Sequence, residues 1–302
     1  MTANHQILYV PGREIDKGRW DNCMFNSDNG LIYGCSFYLD HITDNWDGLV
    51  LNDYEAVMPL PWRKKWGINY IYHPFATAQL GLFGNNINAD LLYSFLATIP
   101  SKFGYWDYPL NYENLFQINS FPLYKRVNYI LSLKDQYKEL YNGYKENIRR
   151  NIKKCKKYGC SFATKINIED ILLLAKNTSL IADKDAKKFS ALFHFLKDKE
   201  IAQTYGIVSH KNELLASCVF FIWRERAYYI LVGNHPNGRT MGASHALIDQ
   251  FIQDHAGENL VLDFEGSDIR NLAFFYSSFG AKQENYSAIR YNRLPWWLKW
   301  KK

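Results

Sequence analysis

The chain has 302 residues, of which 47% are hydrophobic and 17% aromatic, and this composition excludes a disordered protein. Its five cysteines are scattered and form no Cys-x-x-Cys pair, which argues against a disulfide framework and a zinc site. The formal net charge of +6 comes mostly from one segment. The N-terminal residues lack a signal-peptide pattern, and no apolar run approaches membrane-spanning length. We therefore expect a cytoplasmic protein without a transmembrane segment.

The first half of the chain is predicted to form a strand meander followed by a helix and a further strand. Strands are predicted over 48–51, 55–60 and 69–73, with turns at Asn52-Asp53 and Arg63-Lys64-Lys65. A glycine-bearing loop, a helix over 89–99 and a strand over 105–108 follow. The helix has an apolar stripe at positions i, i+1, i+4 and i+5.

A long basic helix is predicted over 134–158, with Gly159 as its stop. One face is apolar, and the other faces carry lysine and arginine. These cations are expected to form a solvated face that suits the C-terminal end of the helix dipole. The alternative is that they contact phosphates of a nucleotide-linked acceptor or of RNA. Arg149 and Lys153 are the substrate-binding candidates of this alternative.

The second half repeats the order of the first. Strands are predicted over 204–208, 214–222 and 227–232, followed by a loop, an amphipathic helix and a strand over 260–264. When the first half is shifted along the sequence so that its apolar helical stripe coincides with that of the second half, Asp107 coincides with Asp263. We therefore predict an internal duplication, with one domain over 1–164, which includes the connecting helix, and another over 165–302. The crevice between them is the expected acceptor site.

The turn between the strand and the helix of the second half has the pattern of a phosphate-binding loop. Arg239-Thr240-Met241-Gly242-Ala243-Ser244 precedes the helix, whose N-terminal N–H groups and dipole can hold a phosphate. Gly242 would let the backbone approach closely, and Arg239 would supply a charged contact. A plain surface turn after Pro236-Asn237-Gly238 is the alternative.

Three side chains near the end of the chain are candidates for acid–base chemistry. Asp263 and Glu265 are two residues apart on a predicted strand and would share a face. Tyr276 lies in a short aromatic helix, where a packed core aromatic is the alternative. For Asp263 the alternative is a hydrogen bond to the adjacent loop. The histidines show no ligand spacing, so no metal is expected.

These motifs resemble those of a known superfamily. The Arg-x-x-Gly-x-Ser loop and the Phe275-Tyr276-Ser277-Ser278-Phe279-Gly280-Ala281 helix end resemble the acyl-CoA site of GNAT acyltransferases. The stretch Asp263-Phe264-Glu265-Gly266-Ser267 is similar to the Asp-Phe-x-Gly-Ser stretch of Fem-type transferases, the peptidoglycan aminoacyltransferases built from two GNAT-like halves. The resemblance implies a mixed α/β fold with two GNAT-like units in tandem, joined by the long basic helix. Ser244 replaces the usual last glycine of the loop, and Asn271 lies closer to Tyr276 than in typical GNAT helices.

The resemblance also implies a function. An acyl group would move from acetyl-CoA or another acyl-CoA to an amine acceptor, with Tyr276 protonating the thiolate and Glu265 or Asp263 accepting the amine proton. The cofactor contacts it implies are Leu231, Val232, Arg239, Thr240, Gly242, Ala243, Ser244 and Asn271. A Fem-like transferase that uses aminoacyl-tRNA, with a tRNA-borne or UDP-linked substrate, is one alternative. A non-catalytic ligand-binding protein with a degenerate fold is the other.

Overall fold

A computed structural model describes residues 6–177, 180–266 and 268–294 of the chain. The chain divides into two compact units. Unit 1 comprises 1–126 and 285–302, and unit 2 comprises 127–284. These bounds differ from the predicted division at residue 164, because the segment predicted as the connecting helix belongs to unit 2. None of the helices that the structure describes has the length and apolar character of a membrane span.

The described part of unit 1 is a mixed sheet with three α-helices. Its strands follow the order β1-β2-β3-β4-β6-β13, with β5 paired to β3. Only β4 and β6 are parallel among these pairs. The elements are β1 (Ile7–Val10), α1 (Lys17–Asn26), α2 (Ser36–Ile42), β2 (Asn45–Leu51), β3 (Ala56–Lys65), β4 (Ile68–Ile71), β5 (Phe83–Gly84), α3 (Ala89–Thr98), β6 (Phe103–Pro109) and the C-terminal part of β13 (Lys282–Asn292).

The strands of unit 2 also pair in a mixed parallel and antiparallel arrangement, and helices flank them. Its strand order is β7-β12-β11-β10-β9-β8, in which β11 and β12 are parallel and the other neighbours antiparallel. The elements are β7 (Leu123–Ser132), α4 (Tyr137–Asn142), α5 (Glu146–Lys157), β8 (Ser161–Thr164), α6 (Ile168–Lys176), α7 (Asp183–Lys197), β9 (Ala202–Val208), β10 (Leu214–Trp223), β11 (Arg226–Asn234), α8 (Pro236–Met241), α9 (Ala243–His255), β12 (Val261–Asp263) and α10 (Arg270–Ser277). The predicted mixed α/β class is thus confirmed.

The predicted long helix over 134–158 is two helices, α4 and α5. The break after Gly143 lets the Lys145 N–H donate to the carbonyl of Ser278 at 2.9 Å, a contact that an unbroken helix could not make. The Arg149 guanidinium then donates to the carbonyls of Asn142 and Tyr144 at 2.7 to 3.1 Å. It thereby satisfies acceptors that the end of a helix leaves unpaired.

Helix α9 covers one face of the unit 2 sheet with the predicted stripe. Leu247, Ile248, Phe251 and Ile252 are all buried, and the Phe251 ring stacks on Phe220 of β10 with centroids 3.7 Å apart. Burying side chains of this size stabilises a fold by roughly 1.5–3 kcal/mol each. This packing fixes where α9 begins, and so helps to place the site described below.

Both units contain the order hairpin, crossover helix and parallel strand. In unit 1 this is β3-β4-α3-β6, and in unit 2 it is β10-β11-α9-β12. Each hairpin turns over two residues, Trp66-Gly67 in unit 1 and Arg224-Glu225 in unit 2. The predicted turn at 63–65 was therefore placed too early, because β3 continues to Lys65 and positive φ angles fall on Trp66 and Gly67. Superposition of the two units stays a prediction.

Candidate functional site

Strands β11 and β12 part at their carboxyl ends. They pair only from Arg226 to Tyr228 of β11, and β12 ends at Asp263 while β11 continues to Asn234. Within the residues that the structure describes, the β12-facing edge of β11 beyond Tyr228 has no partner strand. An opening at the carboxyl ends of neighbouring parallel strands is a common ligand site in α/β proteins.

A cavity of about 410 Å³ lies beside this opening, within unit 2. Its volume falls in the range of about 300–1,000 Å³ that is typical of small-molecule sites. Strand β11 and helices α8, α9 and α10 supply its walls. The residues are Tyr229, Val232, Asn234, Gly238, Arg239, Ser244, His245, Leu272, Phe275 and Tyr276.

A β-bulge decides which side chains of β11 line the cavity. Val219 of β10 pairs with Leu231, whereas the next residue, Phe220, pairs with Tyr229. The extra residue of β11 breaks the usual alternation of side chains. Tyr229 and Val232 therefore line the same cavity, and Leu231 is buried with 5% exposure outside its described walls. Val232 and Leu231 were both predicted to contact the cofactor. Val232 is a wall residue of the cavity, and Leu231 is not.

The segment predicted as a phosphate loop is the short helix α8, a turn at Gly242 and the start of α9. Gly242 has φ of 81°, and a Cβ atom there would lie 2.6 Å from the backbone carbonyl oxygen of Asn151 in α5. Gly242 and Ala243 are both buried. The close packing of α5 and the left-handed conformation therefore account for this glycine.

The other predicted contacts of this segment divide into two groups. Arg239 is exposed at the cavity wall, and Ser244 donates its hydroxyl proton to the side-chain oxygen of Asn234, another wall residue. Thr240 and Asn271 are exposed and are not among the described wall residues. The structure thus brings Arg239 and Ser244 together with Val232 and Tyr276, and leaves Thr240 and Asn271 outside.

Tyr276 is a buried wall residue on α10, with 7% exposure. Its ring stacks on Phe264 with centroids 4.6 Å apart and meets the Tyr229 ring edge-on at 6.4 Å. Burial, assisted by the charge of Glu265, raises the pKa of the Tyr276 phenol. The hydroxyl therefore stays protonated at neutral pH and can donate a hydrogen bond.

Asp263 is held in a buried ion pair. Its carboxylate accepts from Arg226 at 2.7 Å, from the Asn128 amide at 3.0 Å and from the backbone N–H of Glu265 at 2.7 Å. Glu284 also binds Arg226, at 2.7 Å. Because three hydrogen-bond donors bind its carboxylate, Asp263 has a structural role in this region.

Glu265 does not share a strand face with Asp263, as the sequence pattern predicted. Strand β12 ends at Asp263, and Glu265 has φ of 60°, so the alternation of a strand does not reach it. Neither residue is a described wall residue of the cavity, although the charge of Glu265 acts on Tyr276. Ser267, the last residue of the Fem-like stretch, lies outside the described residues.

His245 is a wall residue that the sequence reasoning missed. Its ring meets the Phe275 ring edge-on with centroids 4.9 Å apart, and burial lowers the pKa of its imidazole to about 4. The histidine is thus neutral at physiological pH. The sequence signal that could have identified His245 is its position directly after the Arg-x-x-Gly-x-Ser motif.

The two substrate-binding candidates lie on α5. The Arg149 guanidinium is engaged by the carbonyls that end α4, which gives it a structural role. Lys153 is exposed. Neither is a described wall residue of the cavity.

No family model and no curated protein sequence matches the chain, but solved structures do. FemX aligns over 98% of this chain and 100% of its own, with a TM-score of 0.67 and 11% identity. The tandem GNAT protein from the clavulanic acid biosynthesis pathway aligns over 96% of this chain and 99% of its own, with a TM-score of 0.56 and 11% identity. L-PGS from Bacillus licheniformis aligns over 94% of both chains, with a TM-score of 0.54 and 10% identity.

The chain therefore shares its overall fold with FemX and with the tandem GNAT protein, which agrees with the fold that the sequence motifs predicted. The likeness is one of fold, and what the cavity binds must be argued from its own residues.

Proposed function

We propose that the chain is an N-acyltransferase that moves an acyl group from acyl-CoA to an amine in the cavity of unit 2. The observation that carries the proposal is the opening between β11 and β12. It places a protonated phenol, Tyr276, in the same cavity wall as an exposed cation, Arg239. The fold of tandem GNAT proteins supports the same reading.

The donor would lie along β11. The unpaired edge of this strand beyond Tyr228 offers backbone N–H and C=O groups to the amides of a pantetheine arm, as a neighbouring strand would. Tyr229 and Phe275 would contact the thioester end, and Arg239 would make a charge-assisted contact with the phosphates.

The chemistry needs few groups from the protein. The amine nitrogen bonds to the thioester carbonyl carbon, the carbon–sulfur bond breaks, and the sulfur leaves as a thiolate. The Tyr276 hydroxyl would donate a hydrogen bond to that sulfur, because a phenol is protonated at neutral pH. The raised pKa of Tyr276 extends the protonated form to higher pH. The amine proton passes to water or to the Glu265 carboxylate, whose backbone is anchored by Asp263.

A second candidate function, transfer from aminoacyl-tRNA, is favoured by one surface. Helix α5 exposes Arg150, Lys153, Lys156 and Lys157, and a row of cations on one helix suits a phosphate backbone. Binding of this kind weakens steeply as salt concentration rises. Salt dependence therefore distinguishes the two donors.

Calorimetric titration with CoA tests the proposal. Wild type should bind CoA, and Arg239→Ala should weaken binding by about 10-fold or more, because a hydrogen bond to a charged group contributes roughly 1.5–3 kcal/mol. Acetyl-pantetheine, which lacks the nucleotide phosphates, should bind both proteins alike. Lys187→Ala is the charge-matched control, since Lys187 is exposed on α7, a helix that supplies no described wall residue.

Failure of wild type to bind CoA would contradict the proposal. Salt-sensitive binding of aminoacyl-tRNA in the same preparation would then favour the second candidate. Normal CoA affinity in Arg239→Ala would show that the phosphates lie elsewhere.

A further inference from the structure

The hairpin between β3 and β4 in unit 1 ends in an exposed turn of basic and aromatic side chains, residues 64–67, here called the β3–β4 tip. All four residues are exposed, and Trp66 has 71% of its surface exposed, although tryptophan is usually well buried. The Lys65 ammonium lies over the Trp66 ring, 4.5 Å from its centroid. The β3–β4 tip therefore presents an apolar ring and lysine side chains to solvent.

The two lysines of the β3–β4 tip differ from the cation that precedes them. The Arg63 guanidinium binds the Asp44 carboxylate at 2.7 Å and lies over the Tyr72 ring at 4.0 Å, so its charge is used within unit 1. Lys64 and Lys65 form no ion pair with a described carboxylate. Their positive charges are thus available to an anionic partner.

A second segment of similar composition begins next to the β3–β4 tip. Ile68 follows the tip directly, and both Ile68 and Leu294 pack against Gly104, where an added Cβ atom would lie 3.6 Å from Ile68 and 2.6 Å from Leu294. The Arg293 N–H donates to the carbonyl of Gly104 at 2.8 Å. Residues 295–302 follow Leu294 and lie outside the described residues. Their sequence holds three tryptophans and three lysines, Pro295-Trp296-Trp297-Leu298-Lys299-Trp300-Lys301-Lys302.

Tryptophan combined with lysine suits the surface of a lipid bilayer. Tryptophan rings favour the headgroup level of a membrane, and lysine is attracted to anionic lipids. A nucleic acid would also attract the lysines, but its bases stack on the faces of aromatic rings, and Lys65 covers one face of Trp66. The aliphatic side chains of Ile68 and Leu298 offer no stacking surface at all. An anionic bilayer accepts rings, aliphatic chains and cations together, and therefore fits this composition best.

We propose that the β3–β4 tip, together with segment 295–302, binds the surface of an anionic lipid bilayer. Trp66 enters the headgroup region, and Lys64 and Lys65 contact the lipid phosphates. One ring and two cations bind a membrane only weakly, and stable anchoring takes more than one signal. Segment 295–302 supplies the second signal beside the first.

Co-sedimentation with vesicles measures this binding. Wild type should sediment with vesicles of equal parts phosphatidylcholine and phosphatidylglycerol, and stay in solution with phosphatidylcholine alone. Added salt should weaken the binding, because it screens the surface potential. Replacing Lys64 and Lys65 together with Glu should weaken it by about 25-fold or more, since each cation lost near such a surface costs about fivefold in affinity. Trp66→Ala should weaken it roughly 10-fold, and joint replacement of Trp296, Trp297 and Trp300 with Ala at least as much.

Phe25→Ala is the matched control for Trp66→Ala. Phe25 is 58% exposed but lies toward the other end of β3. The carbonyl of its neighbour Asn26 accepts from the Asn85 amide at 3.3 Å, and Asn85 follows β5, which pairs with the first residues of β3. Phe25→Ala should therefore bind anionic vesicles as wild type does.

The hairpin variants should melt at the temperature of wild type, because the replaced side chains are exposed. A wild type that stays in solution with anionic vesicles would overturn the inference, as would wild-type affinity in both folded hairpin variants. Binding to RNA without binding to vesicles would assign the surface to a nucleic acid and overturn it as well. The vesicle assay contains no acyl donor, so its outcome is independent of the acyl transfer proposed above.

Discussion

Tyr276 is buried by aromatic side chains on several sides, and in the proposed acyl transfer its hydroxyl would donate a hydrogen bond to the leaving thiolate. Phe264 stacks on its ring, and Phe275 and Tyr229 pack nearby. The raised pKa of the phenol favours a strong hydrogen bond to the sulfur over full proton transfer, because the thiolate is then the weaker base. Under the proposed mechanism, the phenol would therefore assist most while negative charge builds on the sulfur.

Replacing Tyr276 with Phe tests this role. The ring and its packing remain, so the melting temperature should change little. Since only transition-state assistance is lost, kcat should fall roughly 10²-fold with CoA affinity unchanged. Tyr158→Phe is the matched control, because Tyr158 is exposed at the end of α5, and its activity should equal that of wild type. Full turnover in Tyr276→Phe would remove the hydroxyl from the mechanism.

The role of Asp263 shows what a local sequence pattern omits. The pattern suggested a carboxylate ready to accept a proton, but its partners Arg226 and Asn128 lie 37 and 135 residues away in the chain. His245 was missed for the same reason, since the side-chain amide of Asn151 that approaches its ring is 94 residues away. Side-chain chemistry at both positions is set by tertiary neighbours, which periodicity and motif spacing do not report.

Elements were predicted where the local signal agreed with the tertiary packing. The apolar stripe of α9 and the strands of the unit 2 hairpin follow from side-chain periodicity alone. The break between α4 and α5 does not, because it depends on the hydrogen bond from Lys145 to the distant carbonyl of Ser278. The bulge in β11, which turns Leu231 away from the cavity, also depends on pairing with a neighbouring strand.

The contact between α5 and the start of α9 predicts a stability difference between two glycines. Gly242→Ala should lower the free energy of unfolding by about 2–4 kcal/mol, from the left-handed backbone and from overlap with Asn151. Gly67→Ala is the control, because Gly67 has a similar φ of 80° and nothing within 4 Å of an added Cβ. Gly67→Ala should lower the free energy of unfolding only through the strain of the left-handed backbone, by about 1–2 kcal/mol.

Urea unfolding of both variants measures the difference. Equal losses of unfolding free energy in the two variants would show that α5 does not pack tightly against Gly242. In that case the glycine would again suit a close approach by a ligand.

At the scale of the molecule, both units share the hairpin, crossover helix and parallel strand, but their turns into the crossover helix differ. Unit 2 carries the cavity lined by Arg239, His245 and Tyr276, and α8 precedes its helix α9. In unit 1 a loop and β5 precede α3. We therefore propose that the acyl donor binds in unit 2, at the unpaired edge of β11.

Hydrogen–deuterium exchange with and without acetyl-CoA tests whether the donor binds at this edge of β11. Amides on the unpaired edge of β11 exchange through solvent exposure, and a bound pantetheine arm would pair with them. We predict slower exchange over 229–234, with weaker protection over 239–245 and 270–277. The matching segments of unit 1, 68–71 and 89–98, should exchange as before. Protection confined to unit 1, or no protection at saturating acetyl-CoA, would contradict binding of the donor in unit 2.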